Sequence, residues 1–179
     1  MLKLFVPGIE LFDESTEEFV YSDDTVLELE HSLVSLSKWE SIWKKPFMAS
    51  EKSTEETLSY VNCMSLVGDI SQEVFSRMTE DNFREINEYI NDTKTATWFA
   101  EDKNNKGSRD VITSELIYYW MFTVNIPIEC ENWHLGRLIT LIKVFSKKNQ
   151  PEKKMSTQEI ARRNRELNAA RRQKYKTRG

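Results

Sequence analysis

At 179 residues, with 39% hydrophobic and 30% charged side chains, the chain has the size and composition of one globular domain, not of a disordered protein. No run of about 20 apolar residues exists, which argues against a membrane-spanning helix, and Met1–Ile9 is too short to read as a signal peptide. The net charge of −4 is the sum of two opposed parts: residues 147–179 hold twelve Lys/Arg against three Asp/Glu, and residues 1–146 hold thirteen against twenty-six.

An acidic body over residues 1–148 and a basic tail over 149–179 are therefore expected. Two cysteines, Cys63 and Cys130, provide no disulfide framework and suit a reducing cytoplasm.

In chain order, Leu2, Leu4 and Val6 alternate with Lys3 and Phe5 before Pro7-Gly8, the pattern of a short strand. Phe19-Val20-Tyr21 and Val26–Glu30 read as further strands across the turn-forming Ser22-Asp23-Asp24. In the last, Leu27 and Leu29 share one face while Val26, Glu28 and Glu30 share the other. A small antiparallel sheet within residues 2–30 is expected, packed on helices because two or three strands alone are marginal.

Helices follow over residues 32–146. Ser32 opens one with Leu33, Leu36, Trp39, Ile42 and Trp43 at helical spacing, and Pro46 ends it. Thr54 starts another, with Leu58, Val61, Met64 and Leu66. Ser71 caps a short piece holding Val74 and Phe75, and Thr79 heads a helix whose stripe is Phe83, Ile86, Tyr89 and Ile90. Trp98 and Phe99 form a brief apolar patch before the polar loop Glu101–Ser108.

The stretch Arg109–Lys147 reads as the core of the fold, two helices hinged at Asn125-Ile126-Pro127. The first is capped by Thr113 and carries Leu116, Ile117, Trp120, Met121 and Val124. The second carries Cys130, Trp133, Leu138, Ile139, Leu141, Ile142 and Phe145. A last helix, capped by Ser156 or Thr157 and running to about Arg172, has only Ile160 and Leu167 as large apolar residues and buries little. The expected fold class is α+β, mainly helical.

Chemistry is sparse. Glycines at positions 8, 68, 107, 136 and 179 build no phosphate-cradling loop, and no G-x-S-x-G elbow occurs. His31 has the side chain of a general base, but a histidine between strand and helix is more often held by local hydrogen bonds. Cys130 and His134, four apart, would complete a four-ligand zinc site with Cys63 and His31, although the paired motifs of zinc sites are missing. No catalytic residue, metal ligand or cofactor is assigned, and no enzyme is expected.

Trp39, Trp43, Trp120 and Trp133 read as core, whereas Trp98, with Phe99 beside it, reads as an exposed anchor for a protein partner. Arg162, Arg163, Arg165, Arg171 and Arg172 would attract an acidic surface or a phosphate backbone. One aromatic, Tyr175, is too few for a single-strand nucleic-acid platform.

Several stretches, taken in order, resemble the tail assembly chaperones of long-tailed bacteriophages and prophages: Leu29–Ser41, Thr95–Phe99, Ser114–Met121, Trp133-His134-Leu135 and Asn164–Arg172. The resemblance spans nearly the whole chain and contains no catalytic motif. It implies a host-cytoplasmic protein that binds the helical tape-measure protein, helps recruit tail-tube subunits and is missing from the finished virion. Self-association, the tail of one copy on the acidic body of the next, fits the charge division. Two other readings compete: a virion structural tail or connector protein, and a nucleic-acid-binding regulator acting through the basic tail. The acidic body weighs against the second.

Overall fold

The computed structural model describes residues 1–13, 17–99, 111–149 and 157–175. It is an α+β protein, mainly helical, in two units, Met1–Lys147 and Lys148–Gly179. Strands β1 (Leu2–Val6), β2 (Glu10–Asp13), β3 (Glu18–Tyr21) and β4 (Thr25–Leu29) precede helices α1 (Leu33–Trp43), α2 (Thr54–Met64), α3 (Gln72–Arg77) and α4 (Glu80–Asn91). Then come α5 (Ser114–Thr123), a 3-10 turn (Ile128–Asn132), α6 (Leu135–Asn149) and α7 (Thr157–Tyr175). None of the described helices is long and apolar enough to cross a membrane.

The expected small sheet is two separate antiparallel ladders. β1 pairs with β4 in the register Leu2↔Leu29, Leu4↔Leu27, Val6↔Thr25, and β2 pairs with β3 within the excursion between them. Alternation decides the faces of the first ladder: Leu4, Val6, Leu27 and Leu29 are buried, and Phe5 and Val26 point to solvent. β2 is an element the residue pattern did not announce.

Gly8 starts the excursion. A Cβ there would stand 2.0 Å from the Ser22 carbonyl oxygen, so only glycine lets the two chain segments approach this closely. Arg77, at the end of α3, ties the same neck. Its Nη1 donates to the carbonyl oxygens of Pro7 and Asp23, both at 3.0 Å, and its Nη2 to Thr25 Oγ1 at 3.2 Å. Replacing Arg77 with alanine removes three part-buried hydrogen bonds at once. The expected result is a loss of about 2–3 kcal/mol, with amide exchange rising first in β2 and β3, as hydrogen-exchange mass spectrometry would record.

The centre of the body is α1, not the Arg109–Lys147 pair. Leu33, Leu36 and Trp39 are fully buried, and α1 lies against α2, α5 and the 3-10 turn. Ser32 caps it as expected, in a reciprocal box with Ser35. Ile42 departs from the expected stripe and is exposed, because the buried arc of α1 has turned past it before Trp43 meets α2. Trp39 Nε1 donates to the Glu56 carbonyl at 2.8 Å and Trp43 Nε1 to Ser59 Oγ at 3.0 Å, joining α1 to α2 through their polar handles as well as their rings.

α2 starts at Thr54 as expected, and the residue before it, Ser53, is its cap. Ser53 has Glu56 three residues on, which completes the reciprocal box. Its buried residues include Tyr60 and Cys63 beside Val61 and Met64, while the expected Leu66 lies beyond the helix and is exposed. There the chain runs along β4, Glu30 N donating to Met64 O and Leu66 N to Glu28 O, both at 2.9 Å. Ser71 and Thr79 cap α3 and α4, and α4 packs on β1 with Ile86 and Tyr89 inward.

α5 begins at its expected cap, Thr113, and buries Ile117 and Met121. The second expected helix is split. Cys130 sits in the 3-10 turn, Trp133 in the break after it, and α6 begins only at Leu135. The cause is long-range: Ser32 and His134 form a β-bridge, and Leu135 N donates to His31 O at 2.7 Å, so the backbone at Trp133–His134 serves the strand–helix junction at residues 31–32. On α6, Leu138 and Ile142 are buried and Phe145 is exposed. α7 reaches Tyr175, beyond the expected Arg172. The alternative cap Ser156 and the polar loop Glu101–Ser108 lie outside the described residues.

Candidate partner-binding surfaces

α7 is helical because its residues favour helix: Ala, Arg, Glu, Gln and Leu dominate, with no glycine or proline from Thr157 to Tyr175. Nineteen residues extend about 28 Å. Every residue of α7 with a described burial is exposed, Ile160 and Leu167 included. Arg162 Nε donates to Glu166 Oε1 at 3.0 Å, one turn on, and Arg165 Nε to the Ala161 carbonyl at 3.3 Å. Arg163, Arg171 and Arg172 are exposed as well. Among its described residues α7 has no packed face of its own, and helices of this length are marginal in water without one. Its surface carries cations at several angles around a narrow apolar contribution from Ile160 and Leu167.

On the body, Trp98 is 81% exposed, whereas Phe99 is half-buried with Lys147 Nζ 4.3 Å from its ring centroid. The two neighbours thus differ: Phe99 is already covered by a cation from α6, and Trp98 offers a full indole to solvent. A third surface went unread in the sequence. The β2–β3 ladder exposes Phe12, Phe19, Val20 and Tyr21, with the Phe12 and Phe19 rings 5.2 Å apart across the strands and Tyr21 Oη donating to Glu10.

The histidines and cysteines are not arranged for metal chemistry. His31 Nδ1 lies 2.5 Å from Tyr60 Oη, itself 3.4 Å from Ser35 Oγ. His134 uses both nitrogens: Nε2 donates to the Tyr89 carbonyl at 3.0 Å, and Nδ1 accepts from Gly136 N at 3.2 Å. The two rings meet edge to face at 5.1 Å. Among the described residues no group of three or more His, Cys, Asp or Glu could hold a metal ion. Burial, then the charge of His134, pulls the His31 pKa down to about 3, and burial lowers His134 as well. Burial raises the Cys63 thiol, which suppresses the thiolate that nucleophilic or ligand chemistry requires. His31 is therefore a neutral core histidine, satisfied by Tyr60.

The fold and these surfaces define a class: a mainly helical α+β body with a separate basic helix, presenting exposed aromatic and cationic side chains. No family model, no curated protein and no solved structure matches the chain.

Proposed function

We propose that this chain is a non-enzymatic assembly chaperone of long-tailed bacteriophages, which binds the tape-measure protein and assists tail-tube assembly in the host cytoplasm. The observation that carries the reading is α7, a basic helix whose described side chains are all exposed, on a chain whose remainder is strongly acidic. The ordered likeness of Leu29–Ser41, Thr95–Phe99, Ser114–Met121, Trp133–Leu135 and Asn164–Arg172 to that family supports it. A tape-measure helix presents apolar and charged surface over hundreds of ångströms. Many copies of a small body with a cationic arm suit such a coat, the arm of one copy meeting the acidic body of the next. A contact of that kind does not close on itself and so propagates along the partner.

The exposed arginines of α7 also favour a second reading, a regulator that binds nucleic acid through the tail. That reading requires affinity that falls steeply with salt and vanishes when the tail is reversed in charge. A structural component of the virion is the third.

Co-expression with the large helical protein encoded immediately downstream, affinity capture, and mass spectrometry of complexes and finished particles separates the three. Capture of the helical protein, with this chain missing from particles, supports the chaperone. Its presence in particles assigns a structural role, and recovery of nucleic acid alone assigns the regulator. Within this scheme Trp98→Ala is expected to leave the unfolding free energy within about 0.5 kcal/mol of wild type, because the ring buries little in its own chain. Capture of the helical partner should fall at least several-fold. Undiminished capture would remove Trp98 from the interface.

A further inference from the structure

We infer that the cleft walled by β1, the end of β4, the C-terminus of α4 and the first turn of α6 is a binding site for an oxyanion, a carboxylate or phosphate group carried by a ligand. The cleft holds about 590 Å³. Three cationic side chains from three separate elements line it, Lys3, Lys94 and Arg137, in a body whose residues 1–146 carry twenty-six acids against thirteen bases. A cationic concavity is the opposite of what that composition distributes at random.

The backbone builds this convergence. After α4 the chain passes so close to α6 that a Cβ on Gly136 would stand 3.0 Å from Thr93 Cα. Glycine at that position is what admits the loop. The next residue, Lys94, takes the left-handed conformation at φ 49°, with its amide donating to Asp92 Oδ1 at 2.9 Å. The result sets Lys94 beside the turn that carries Arg137.

Two of the cations rest on aromatic platforms. The Arg137 guanidinium carbon is 4.1 Å from the Trp133 ring centroid, and Lys94 Nζ is 5.1 Å from that of Tyr89. A guanidinium seated on an indole keeps its in-plane N–H donors directed outward, the geometry that forks onto two oxygens of one carboxylate or phosphate.

The acid in the wall is already engaged. Glu30 Oε1 accepts from Tyr89 Oη at 2.6 Å, and Oε2 lies 2.6 Å from the Met1 amino nitrogen. Lys3 pairs with Glu28 at 2.8 Å and Lys94 with Asp92 at 2.7 Å, both substantially exposed pairs of the kind that contribute little and exchange readily. Arg137 makes no ion pair among the described residues, and it is exposed. It is the primary donor, with Lys94 and Lys3 turning from their exposed partners to the incoming anion. This assignment stands apart from the assembly reading and survives its failure.

The test uses the full-length, ¹⁵N-labelled chain, titrated at constant ionic strength with inorganic phosphate and, separately, with an acetylated tetraglutamate peptide; sodium chloride is the blank. Saturable shifts are expected at the amides of Lys94, Gly136 and Arg137 and at the Trp133 indole. Arg137→Gln should weaken binding at least tenfold and Lys3→Gln by a smaller factor, with far-ultraviolet circular dichroism unchanged in both. Tighter saturation by phosphate identifies a phosphate-bearing ligand, and tighter saturation by the peptide an acidic protein segment. Shifts that rise without saturating, that fall on the α7 arginines instead, or that survive Arg137→Gln would overturn the site.

Discussion

Replacing Glu40 with alanine is expected to lower the stability of the body by about 3–5 kcal/mol. Glu40 is a buried acid of α1 whose two carboxyl oxygens each hold a main-chain amide belonging to another segment. Oε1 accepts from Phe47 N at 2.8 Å, fixing the turn that follows Pro46, and Oε2 accepts from Ser114 N at 2.7 Å, the first amide of α5. A helix start leaves its leading amides without intrahelical partners. Thr113 takes that of Leu116 at 3.4 Å, and Glu40 takes that of Ser114 from a helix 74 residues earlier. Alanine would strand both amides in a site closed to water, each costing about 1–3 kcal/mol. Against a total of about 5–15 kcal/mol this is a large fraction. Urea unfolding should show the midpoint falling with the slope unchanged. Glu40→Gln, with one carbonyl oxygen retained, should recover about half of the loss. A full-strength midpoint for the alanine variant would mean that water reaches these amides.

Glu40 also marks where reading the chain stops. Local chemistry was legible: Ser32, Ser71, Thr79 and Thr113 all cap helices as hydroxyls before apolar periodicity should, and the buried faces of β1 and β4 follow from alternation. α2 likewise begins at Thr54 as expected, and its cap is the adjacent hydroxyl of Ser53, which has a glutamate three residues on. What was not legible depends on partners far away in sequence. Nothing near Trp133 says that a helix must break there, because the reason is the bridge between Ser32 and His134. Nor does α1 look more central than α5 in its own residues. It becomes so because Trp39, Trp43 and Glu40 reach α2, the Phe47 turn and α5 at once. The candidate surfaces divide the same way. An exposed, basic α7 is a property of composition, and the exposure of Trp98 follows from its place beside a polar stretch. The aromatic arm of β2–β3 and the cationic cleft require pairing and loop closure, which periodicity does not encode.

The second large effect is a pH dependence carried by His31. Burial first, and then His134, holds its pKa at about 3, against an ordinary value near 6.5 in the unfolded chain. Above about pH 6.5 the ring is neutral in both states and stability does not respond to it. Below that, the unfolded chain takes up a proton that the folded chain refuses, so the unfolded state gains. Stability is present above the unfolded pKa and is lost as pH falls towards about 3, at about 1.4 kcal/mol per pH unit, for a total of roughly 4–5 kcal/mol. Carboxylates lose stability over part of the same range; the Lys45 ammonium first, then the Ser53 amide, holds Glu56 below its usual value. His31→Gln separates these contributions, because it keeps a polar partner for Tyr60 and deletes only the titration. Near pH 7.5 the variant should be the less stable protein, having given up a fitted ring in the core. The gap should then close by about one kilocalorie per pH unit between pH 6 and 4, and the two curves should cross. Parallel curves in denaturant titrations across that range would show that His31 reaches solvent and protonates in place. They would also mean that the edge-to-face pair with His134 opens without unfolding the junction between β4, α1 and α6.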